Sequence, residues 1–346
     1  MIRSLYIHLP FCRRRCSYCD FYSQTDLSLK AAYIRALKKD ALYFKALCGK
    51  IKTLYIGGGT PSVFTSEEFT LLFDILRRHF SFAENCETTV ELNPRSATKE
   101  LLAFLRDNGV NRLSIGIQFL DAVLLKKARR EHSPEDAEEL FRAARKAGFD
   151  NINTDIIYAF PGQDEKTFAR TLKKIIALSP EHISAYIYTP PSGRPGILKE
   201  APPEDRITES MYGTLCGELK KAGYGHYEIS SFARKSRQSL HNLNYWKGRS
   251  WAGLGAGAVS SCGNSRLTGA EMTDYLLNPA KKSEEKLTKE KIHFERKFLA
   301  LRTLEGVSYR KKHDKYIARG WLKKTAAKTV FTEKGWLISN SVIPEL

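Results

Sequence analysis

Long apolar runs, paired cysteines and acidic residues are all scarce in this chain, and each shortage excludes a class of protein. No apolar run reaches the roughly 18 residues that cross a bilayer, so we expect no membrane-spanning helix. The first residues are not typical of a secretory signal, because His8, Pro10 and three arginines interrupt their apolar stretch. Seven cysteines among 346 residues, an odd number, do not suit a disulfide framework. A reducing, cytoplasmic location is therefore expected.

The shortage of acidic residues leaves a strongly basic chain. It contains 38 aspartates and glutamates and 56 lysines and arginines, which gives a net charge of +18. The basic residues are densest at 13–15, 126–130 and 309–324. Such a charge implies an anionic partner, which is a nucleic acid, an anionic membrane surface or a ligand with carboxylates. Charge alone does not choose among these partners.

The most prominent pattern in the chain is an alternation of strand-like and helix-like segments. Six β-branched or aromatic runs occur: SLYIH, KTLYI, TTVEL, RLSIGIQ, NINTDIIYAF and HISAYIYT. The amphipathic segments between them include one from about Leu27 to a stop at Gly49, SEEFTLLFDILRRHF with Ser66 as its cap, and SPEDAEELFRAARKAG with Ser133 as its cap. This alternation predicts parallel βαβ units. Six in succession predict an α/β fold, a complete or partial (β/α)6 barrel of the TIM type.

Polar residues and glycines stand where these strands end. The cysteine-rich segment follows the first strand, and Gly57-Gly58-Gly59 follows the second. The later strand ends carry Glu91, Gln118, Asp155, Tyr186 and Tyr188. The active site of a parallel barrel forms at the carboxyl ends of its strands. We therefore expect these side chains to line one shared cavity, although any one of them alone would simply mark a polar loop.

Three cysteines, Cys12, Cys16 and Cys19, are spaced CxxxCxxC after the first strand, and Phe21 stands two residues past the third. A structural zinc ion takes four protein ligands, a set that His8 would have to complete. A cubane 4Fe–4S cluster held by three thiolates leaves one iron open. An open iron can bind a small chelating molecule, so the pattern favours a cluster that a cofactor completes.

The cysteine motif, the GGGTP segment after the second strand and the six βα units together resemble the radical S-adenosylmethionine (SAM) superfamily. In that superfamily the amino and carboxylate groups of SAM chelate the open iron, and an electron from the cluster cleaves SAM to a 5′-deoxyadenosyl radical. The segments YIHLPFCRRRCSYCDF, LYIGGGTPS, ELNP, RLSIGIQ, DIIYAFPGQ and HNLNYW are similar to the oxygen-independent coproporphyrinogen III oxidase family, from about residue 3 to 262.

The resemblance implies a role for each matching residue. Cys12, Cys16 and Cys19 would hold the cluster. The SAM-binding residues would be Tyr6 and Tyr18 beside the cofactor, Gly58, Gly59 and Thr60 at its methionyl end, and Glu91, Gln118, Arg130 and Asp155 at its amino, carboxylate or ribose groups. Arg130 departs from the family pattern, because many relatives read LGR where this chain reads Ala128-Arg129-Arg130.

Two further features resemble the heme-chaperone (HemW-type) branch of the family. Phe21 stands where the oxidases carry a fourth cysteine, and HNLNYW is similar to the HNxxYW motif of that branch. The motif implies His241 as an axial heme ligand, with Tyr245 and Trp246 stacked on the macrocycle. A turn histidine beside two core aromatics is the alternative. The chain departs from the branch at Val259, often a histidine in relatives, and at TPPSGRPG, which replaces EPGT.

The rest of the chain extends this organisation. We expect a barrel core at 1–200, an extension that carries the HNxxYW motif at 201–280 and a small basic domain at 281–346. The extension predicts a helix from about Asp205 to Ala222 and a strand near Tyr227. The C-terminal segment predicts an amphipathic helix, HFERKFLALRTLEG, followed by a helix and a hairpin, in a helical or winged-helix-like α+β unit.

The resemblance as a whole implies a cytoplasmic protein that binds a 4Fe–4S cluster, SAM and heme and hands heme to acceptor proteins. Membrane-bound respiratory proteins are among the implied acceptors, and the basic surface would then contact anionic lipid headgroups. Radical decarboxylation of coproporphyrinogen III is the alternative, although Phe21 replaces the fourth cysteine of the oxidases. A basic nucleic-acid-binding protein is the third interpretation, and no recognition helix rich in Arg, Asn and Gln supports it.

Overall fold

Six parallel strands, separated by helical crossovers, form the centre of the fold. The computed structural model describes residues 1–191, 198 and 200–346. The strands are β1 (Ile2–Leu9), β2 (Cys48–Gly58), β3 (Phe82–Leu92), β4 (Arg112–Gln118), β5 (Ile152–Tyr158) and β6 (His182–Ile187). The helices between them are α1 (Lys30–Lys45), α2 (Ser66–His79), α3 (Lys99–Asp107), α4 (Ala122–Lys127), α5 (Pro134–Lys146) and α6 (Glu165–Leu178). Neighbouring strands in the sheet are also consecutive in the chain, as parallel βαβ units require.

Shorter strands extend both edges of this sheet and leave it open. After α7 (Asp205–Lys221), β7 (Gly225–Glu228) and β8 (Ser231–Ala233) add antiparallel strands beyond β6. Helix α8 (Leu240–Trp246) leads to β9 (Ala252–Leu254), which pairs parallel with β1. In the described part of the chain the nine-stranded sheet runs from β7 to β9 without closing. The predicted partial barrel of the TIM type is therefore confirmed.

Two small antiparallel sheets complete the structure. One contains β10 (Val259–Cys262), β11 (Ser265–Gly269) and β12 (Lys282–Lys286), with α9 (Met272–Leu277) before its last strand. The C-terminal segment holds α10 (Lys289–Leu301), β13 (Val307–Ser308), α11 (Asp314–Ala318), β14 (Leu322–Lys324), β15 (Lys328–Phe331), α12 (Glu333–Leu337) and α13 (Ser339–Val342). Its strands pair in the order β13-β15-β14, and its apolar core includes Leu301, Tyr316, Phe331 and Trp336. This is the α+β unit that the sequence predicts.

The barrel strands carry polar side chains on the face that lines the interior and apolar side chains on the other face. Every second residue of a strand shares a face. On β1, Leu5, Ile7 and Leu9 belong to the main apolar core. The inner face carries three residues from each strand except β5, which contributes two. They are Ser4, Tyr6 and His8 (β1); Thr53, Tyr55 and Gly57 (β2); Glu87, Thr89 and Glu91 (β3); Arg112, Ser114 and Gly116 (β4); Asn153 and Asp155 (β5); and His182, Ser184 and Tyr186 (β6). Branched apolar side chains usually fill such an interior, so its polarity here marks a binding space.

Three expected boundaries were wrong. Helix α1 ends at Lys45 rather than Gly49, because β2 begins at Cys48, which pairs with the start of β1. Thr65, not Ser66, caps α2, since Thr65 and Glu68 exchange hydrogen bonds between side chain and backbone. Tyr188 lies just past the end of β6.

None of the described helices combines the length and the apolarity that crossing a bilayer requires.

A buried ion pair joins the first helix to the small sheet after the barrel. The carboxylate of Asp40 on α1 lies 2.8 Å from Nζ of Lys282 at the start of β12, and both side chains are buried. Its second oxygen accepts hydrogen bonds from the Gly255 backbone N–H at 2.8 Å and from the Tyr275 hydroxyl at 3.0 Å. Burial raises the pKa of Asp40, and the Lys282 ammonium opposes that rise. The pair therefore fixes α1 against the chain that follows β9.

Replacing Lys282 by Met should leave the Asp40 carboxylate buried without its cation and destabilise the fold by about 3–5 kcal/mol. Urea unfolding followed by circular dichroism measures the change. Lys291→Met is the matched control, because Lys291 and Glu285 also lie 2.8 Å apart but at the surface. The control should move the unfolding midpoint little, since an exposed pair is well solvated. Equal shifts in the two variants would contradict the role assigned to Asp40.

Candidate functional site

The cysteine loop leaves the carboxyl end of β1 and is tied together at its base. The backbone N–H of Cys12 donates to the Gln24 carbonyl at 2.9 Å, and that of Gln24 donates to the Pro10 carbonyl at 2.7 Å. The chain therefore enters and leaves the loop side by side. The three cysteines of the loop, Cys12, Cys16 and Cys19, are partly exposed, and none of them forms a disulfide among the described residues. The structure places all three at the strand ends, as the sequence predicts.

The sulfur atoms receive hydrogen bonds from two neighbouring segments. The Thr60 hydroxyl donates to Cys12 Sγ at 3.4 Å, and Nη1 of Arg130 donates to Cys16 Sγ at 3.7 Å. Among the described residues, the three sulfurs of the loop do not all lie within 4.8 Å of one another. Thiolates on one tetrahedral zinc ion lie about 3.8 Å apart, whereas each thiolate of a cubane binds its own iron. The arrangement therefore fits a cluster better than a single ion.

The glycine segment at the end of β2, which includes the last two residues of the strand, has no room for side chains. A Cβ on Gly57 would lie 2.8 Å from the Glu91 carboxylate, and one on Gly58 would lie 2.4 Å from the His8 ring. Gly58 also has a φ of +112°, which glycine adopts without strain. Its N–H donates to Glu91 Oε2 at 3.0 Å. The sequence predicts close approach of a ligand here, but the contact of Gly57 with Glu91 was not foreseen.

Glu91 lies at the centre of the inner polar face. Its Oε1 accepts a hydrogen bond from the Tyr55 hydroxyl at 2.8 Å. Burial raises the pKa of Glu91 to about 7, the Tyr55 hydrogen bond opposes the rise, and the charge of Asp155 adds to it. Sequence reasoning missed Tyr55, although its place two residues before Gly57 puts both on one face of β2.

Asp155 lies on β5 with a full set of local hydrogen bonds. It accepts from the Ser114 hydroxyl at 2.8 Å and from the Asn153 amide at 2.9 Å. Burial raises the pKa of Asp155, and these donors oppose the rise.

At the ends of β4 and β5, Gln118 and Ala159 have φ angles of 63° and 56°. A left-handed backbone at a residue other than glycine is strained and is common at functional sites.

Arg130 reaches the cysteine loop, whereas its neighbour does not. Nη2 of Arg130 donates to the Gly116 carbonyl at 2.5 Å, while Arg129 is exposed with a φ of 55°. The Ser17 N–H donates to the Ala128 carbonyl at 3.1 Å and ties this segment to the loop. In the described residues Nε of Arg130 is buried without a hydrogen-bond partner. A cationic donor left unpaired beside a thiol is suited to an anionic group of a bound molecule.

The two tyrosines predicted beside the cofactor occupy different places. Tyr18 is in electrostatic contact with Cys16 and Cys19, and its ring packs edge-on against Phe160, with centroids 6.4 Å apart. Tyr6 lies inside the barrel, where its hydroxyl lies 2.8 Å from Nδ1 of His8. Burial raises the pKa of both phenols well above the ordinary value, so both stay protonated.

A narrow cleft opens between the cysteine loop and the strand ends. Cys16, Thr60 and Arg130 line it, together with Asn93 and the basic residues Arg13, Arg14, Arg95 and Arg129. The Cys16 thiol, the Thr60 hydroxyl and the guanidinium of Arg130, with its unpaired Nε, therefore meet beside one opening. These residues fit a three-thiolate cluster and a small molecule with a carboxylate.

The HNLNYW segment lies deeper in the barrel than the cleft. It forms α8, whose first N–H groups, those of Leu240 and His241, donate to the Glu87 carboxylate at 3.0 Å and 2.9 Å. His241 is only 1% exposed. It contacts Thr53, which precedes Gly58 by five residues on β2, or about 17 Å along the strand. Glu87 was not foreseen from the sequence, and its place on the inner face is the signal that could have found it.

Both ring nitrogens of His241 are hydrogen-bonded. The Thr53 hydroxyl donates to Ser4 at 2.9 Å, so it accepts at 2.9 Å from Nδ1–H of His241. Nε2 therefore carries the lone pair and accepts from the Tyr245 hydroxyl at 2.8 Å. Burial lowers the pKa of His241 to about 3, and the nearby Arg112 charge lowers it further, so the ring is neutral. The imidazole has the form that binds iron, with its lone pair covered by Tyr245.

Three sequence features that separate the branches lie apart from this network. Phe21 is 69% exposed on the cysteine loop, and Val259 is exposed on β10. Trp246 is half-buried at the end of α8. Most of the TPPSGRPG segment, residues 192–196, lies outside the described residues.

Comparison with known proteins identifies relatives over the full chain. The model of the radical SAM superfamily matches residues 6–175. Heme chaperone HemW of Bacillus subtilis is 31% identical over 99% of this chain and 98% of that protein. Heme chaperone HemW of Lactococcus lactis is 34% identical over 90% of this chain and 85% of that protein.

A solved structure agrees with the fold. Coproporphyrinogen III oxidase (HemN) from Escherichia coli, described as a radical SAM enzyme, aligns with a TM-score of 0.85 and 22% identity. The alignment covers 99% of this chain and 89% of the oxidase, and at that identity it shows a shared fold. Because the relatives above 30% identity extend over nearly the whole of both chains, this protein belongs to the radical SAM superfamily, in the coproporphyrinogen III oxidase-like family and on its HemW branch.

Proposed function

We propose that this protein binds a 4Fe–4S cluster, SAM and heme in the cytoplasm and hands heme to acceptor proteins. One observation carries the proposal: three cluster thiols and a neutral buried imidazole occur together, while Phe21 stands at the position of the fourth cysteine of the oxidases. The full-length relatives named as heme chaperones support the same function. The oxidase alternative has weaker support, because its structural likeness at 22% identity concerns the fold.

The residues around the cleft suit both cofactors that the superfamily implies. Cys12, Cys16 and Cys19 would hold the cluster, which supplies an open iron and an electron when bound. The SAM-binding set would be Tyr6, Tyr18, Gly58, Gly59, Thr60, Glu91, Gln118, Arg130 and Asp155. Within it the unpaired Nε of Arg130 is a donor for the carboxylate, and the carboxylates of Glu91 and Asp155 are acceptors for amino or hydroxyl groups.

Heme would be bound at α8 through His241, with Tyr245 and Trp246 against the macrocycle. The lone pair of Nε2 is held by the Tyr245 hydroxyl, so ligation of iron requires that this hydrogen bond opens. Helix α8 has seven residues, and its exposed Leu240 lies beside His241 at the first turn. A short helix held at its start by Glu87 can move without disrupting the barrel strands.

Acceptor proteins, including those in membranes, would meet a basic surface. Arg13, Arg14 and Arg15 are exposed on the cysteine loop, and a second basic stretch lies at 309–324. Such a surface attracts acidic proteins and anionic lipid headgroups alike.

Anaerobically reconstituted protein should carry about four irons per chain. Replacing Cys12, Cys16 or Cys19 by Ala should abolish the cluster, because each thiolate binds its own iron. Iron analysis and the cluster's visible absorption measure this. Ala variants of the other four cysteines, Cys48, Cys86, Cys216 and Cys262, are the controls and should retain full iron. A colourless protein that holds zinc under the same conditions would refute the cluster.

The affinity for SAM should decrease as the pH is lowered through about 7. The raised pKa of Glu91 means that its carboxylate is increasingly protonated below that value and can no longer accept from amino or hydroxyl groups of SAM. Isothermal titration of the reconstituted protein measures the affinity. Glu91→Gln keeps the size of the side chain and should bind more weakly with a flat pH profile. An unchanged profile in this variant would exclude Glu91 as the titrating group.

His241→Ala should weaken heme binding or shift the Soret band while the iron–sulfur cluster stays intact. Tyr245→Phe is the sharper companion, because it keeps the aromatic ring but frees Nε2, so heme should bind at least as tightly as in the unaltered protein. Heme titration with SAM present measures both. Weaker binding in Tyr245→Phe together with an unchanged spectrum in His241→Ala would remove His241 as the ligand.

The same preparations separate the chaperone from the oxidase. Coproporphyrinogen III should stay unchanged with SAM and a reductant, and Phe21→Cys alone should not restore turnover. Formation of protoporphyrinogen IX by the unaltered protein would overturn the proposed function.

A further inference from the structure

A second group of metal-ligating side chains lies away from the cleft, between the edge of the barrel sheet and the C-terminal segment. Cys216 is on α7, His226 is on β7, and Glu333 is the first residue of α12. One ligand atom from each of the three lies within 4.8 Å of the other two. The three residues come from distant parts of the sequence, and only the fold brings them together.

The ring of His226 is oriented for coordination. Its Nε2 lies 3.4 Å from the Ile229 carbonyl, which can only accept, so Nε2 carries the proton. Nδ1 then carries the lone pair, and it lies 4.0 Å from Cys216 Sγ. Phe232 stacks on one side of the ring at 3.9 Å, and Trp336 packs edge-on at 4.4 Å between centroids. A backbone carbonyl that fixes the tautomer of a histidine is the usual support for a metal ligand.

A buried hydroxyl adjoins the same group. Tyr212 is only 5% exposed, and its hydroxyl interacts with the Cys216 thiol, although no hydrogen bond of good geometry to it exists among the described residues. Its ring centroid lies 6.3 Å from that of His226. A phenol oxygen in this place can donate to a thiolate or take part in coordination.

We propose that Cys216, His226 and Glu333 form a zinc site, with Tyr212 or a water molecule at the fourth position. Sulfur, nitrogen and carboxylate oxygen are the donors that Zn²⁺ takes in proteins. The thiolate and the carboxylate together balance the charge of the ion. Zinc binding releases the Cys216 proton to solvent, and the metal thereby fastens α12 of the C-terminal segment to the barrel sheet.

The protonation states of Cys216 and His226 in the absence of a metal are also defined. Burial raises the pKa of the Cys216 thiol to about 12, and burial lowers the pKa of His226 to about 4. Both groups are therefore neutral in the absence of a metal, and the exposed Glu333 closes the group on the solvent side. Zinc enters past the side chain of Glu333.

The test uses full-length protein in which the 4Fe–4S cluster has been reconstituted, so that the loop cysteines are occupied. After equilibration with Zn²⁺ and gel filtration, we expect about one zinc per chain by elemental analysis. Co²⁺ in its place should give thiolate charge-transfer and d–d absorption. Glu333→Gln should weaken the binding of either ion at least tenfold. Glu290→Gln is the matched control, because Glu290 is also an exposed carboxylate in the first turn of a helix, and it should change nothing.

Cys216→Ser adds a spectroscopic readout. It should abolish the cobalt–thiolate absorption and leave the iron content unchanged. Zinc should also raise the unfolding temperature of the unaltered protein but not that of Glu333→Gln, because only the intact site binds the ion. Absence of zinc from the unaltered protein, or equal zinc in it and in Glu333→Gln, would overturn the proposal. In that case the group is a hydrogen-bonded cluster of a thiol and an imidazole.

Discussion

The structure depends on keeping a polar inner face of the barrel hydrogen-bonded. A buried polar group without a partner is costly, so side chains on the inner face have to pair across strands. Thr53 pairs with Ser4 and His241, Tyr55 with Glu91, and Ser114 with Asp155. These pairs link β1 to β2, β2 to β3 and β4 to β5 through their side chains. They also leave groups whose charge depends on burial, as the pKa of Glu91 near 7 shows.

This network divides the interior into two levels. At the carboxyl ends of the strands, a cleft lies where the cysteine loop and Arg130 meet. About 17 Å lower along β2, α8 closes the interior with His241. Tyr245 lies between the levels: its hydroxyl hydrogen-bonds to His241, and burial and the charge of Glu91 raise the pKa of its phenol, so it stays protonated.

The segments after the barrel are attached in two ways: Leu267, Met272 and Tyr275 belong to the main apolar core, whereas the C-terminal segment has a separate one. The Asp40–Lys282 pair holds β12 to α1, and the C-terminal segment has its own apolar core around Trp336. His226 bridges the two regions through its contacts with Phe232 and Trp336. A metal ion bound at His226 would add a link between the barrel sheet and the C-terminal segment. Apolar contact between these two regions is limited there, so one added bond has its largest effect on their attachment.

The sequence by itself determined the six βα units, the cysteine loop and the strand-end residues, because periodicity and motif spacing are local properties. Cys12, Cys16 and Glu91 were assigned in this way, whereas Arg130 was assigned through the resemblance to relatives. Strand alternation could put Glu87 and Tyr55 on the inner face but could not name their partners, because those contacts join residues 154 and 36 positions apart. Nor could it show that Tyr245 covers the lone pair of His241, since that depends on a tautomer set by Thr53. Separation along the sequence also hid the group of Cys216, His226 and Glu333. Tertiary structure alone decided which polar side chains share an interior, because burial and pairing arise only when distant strands come together.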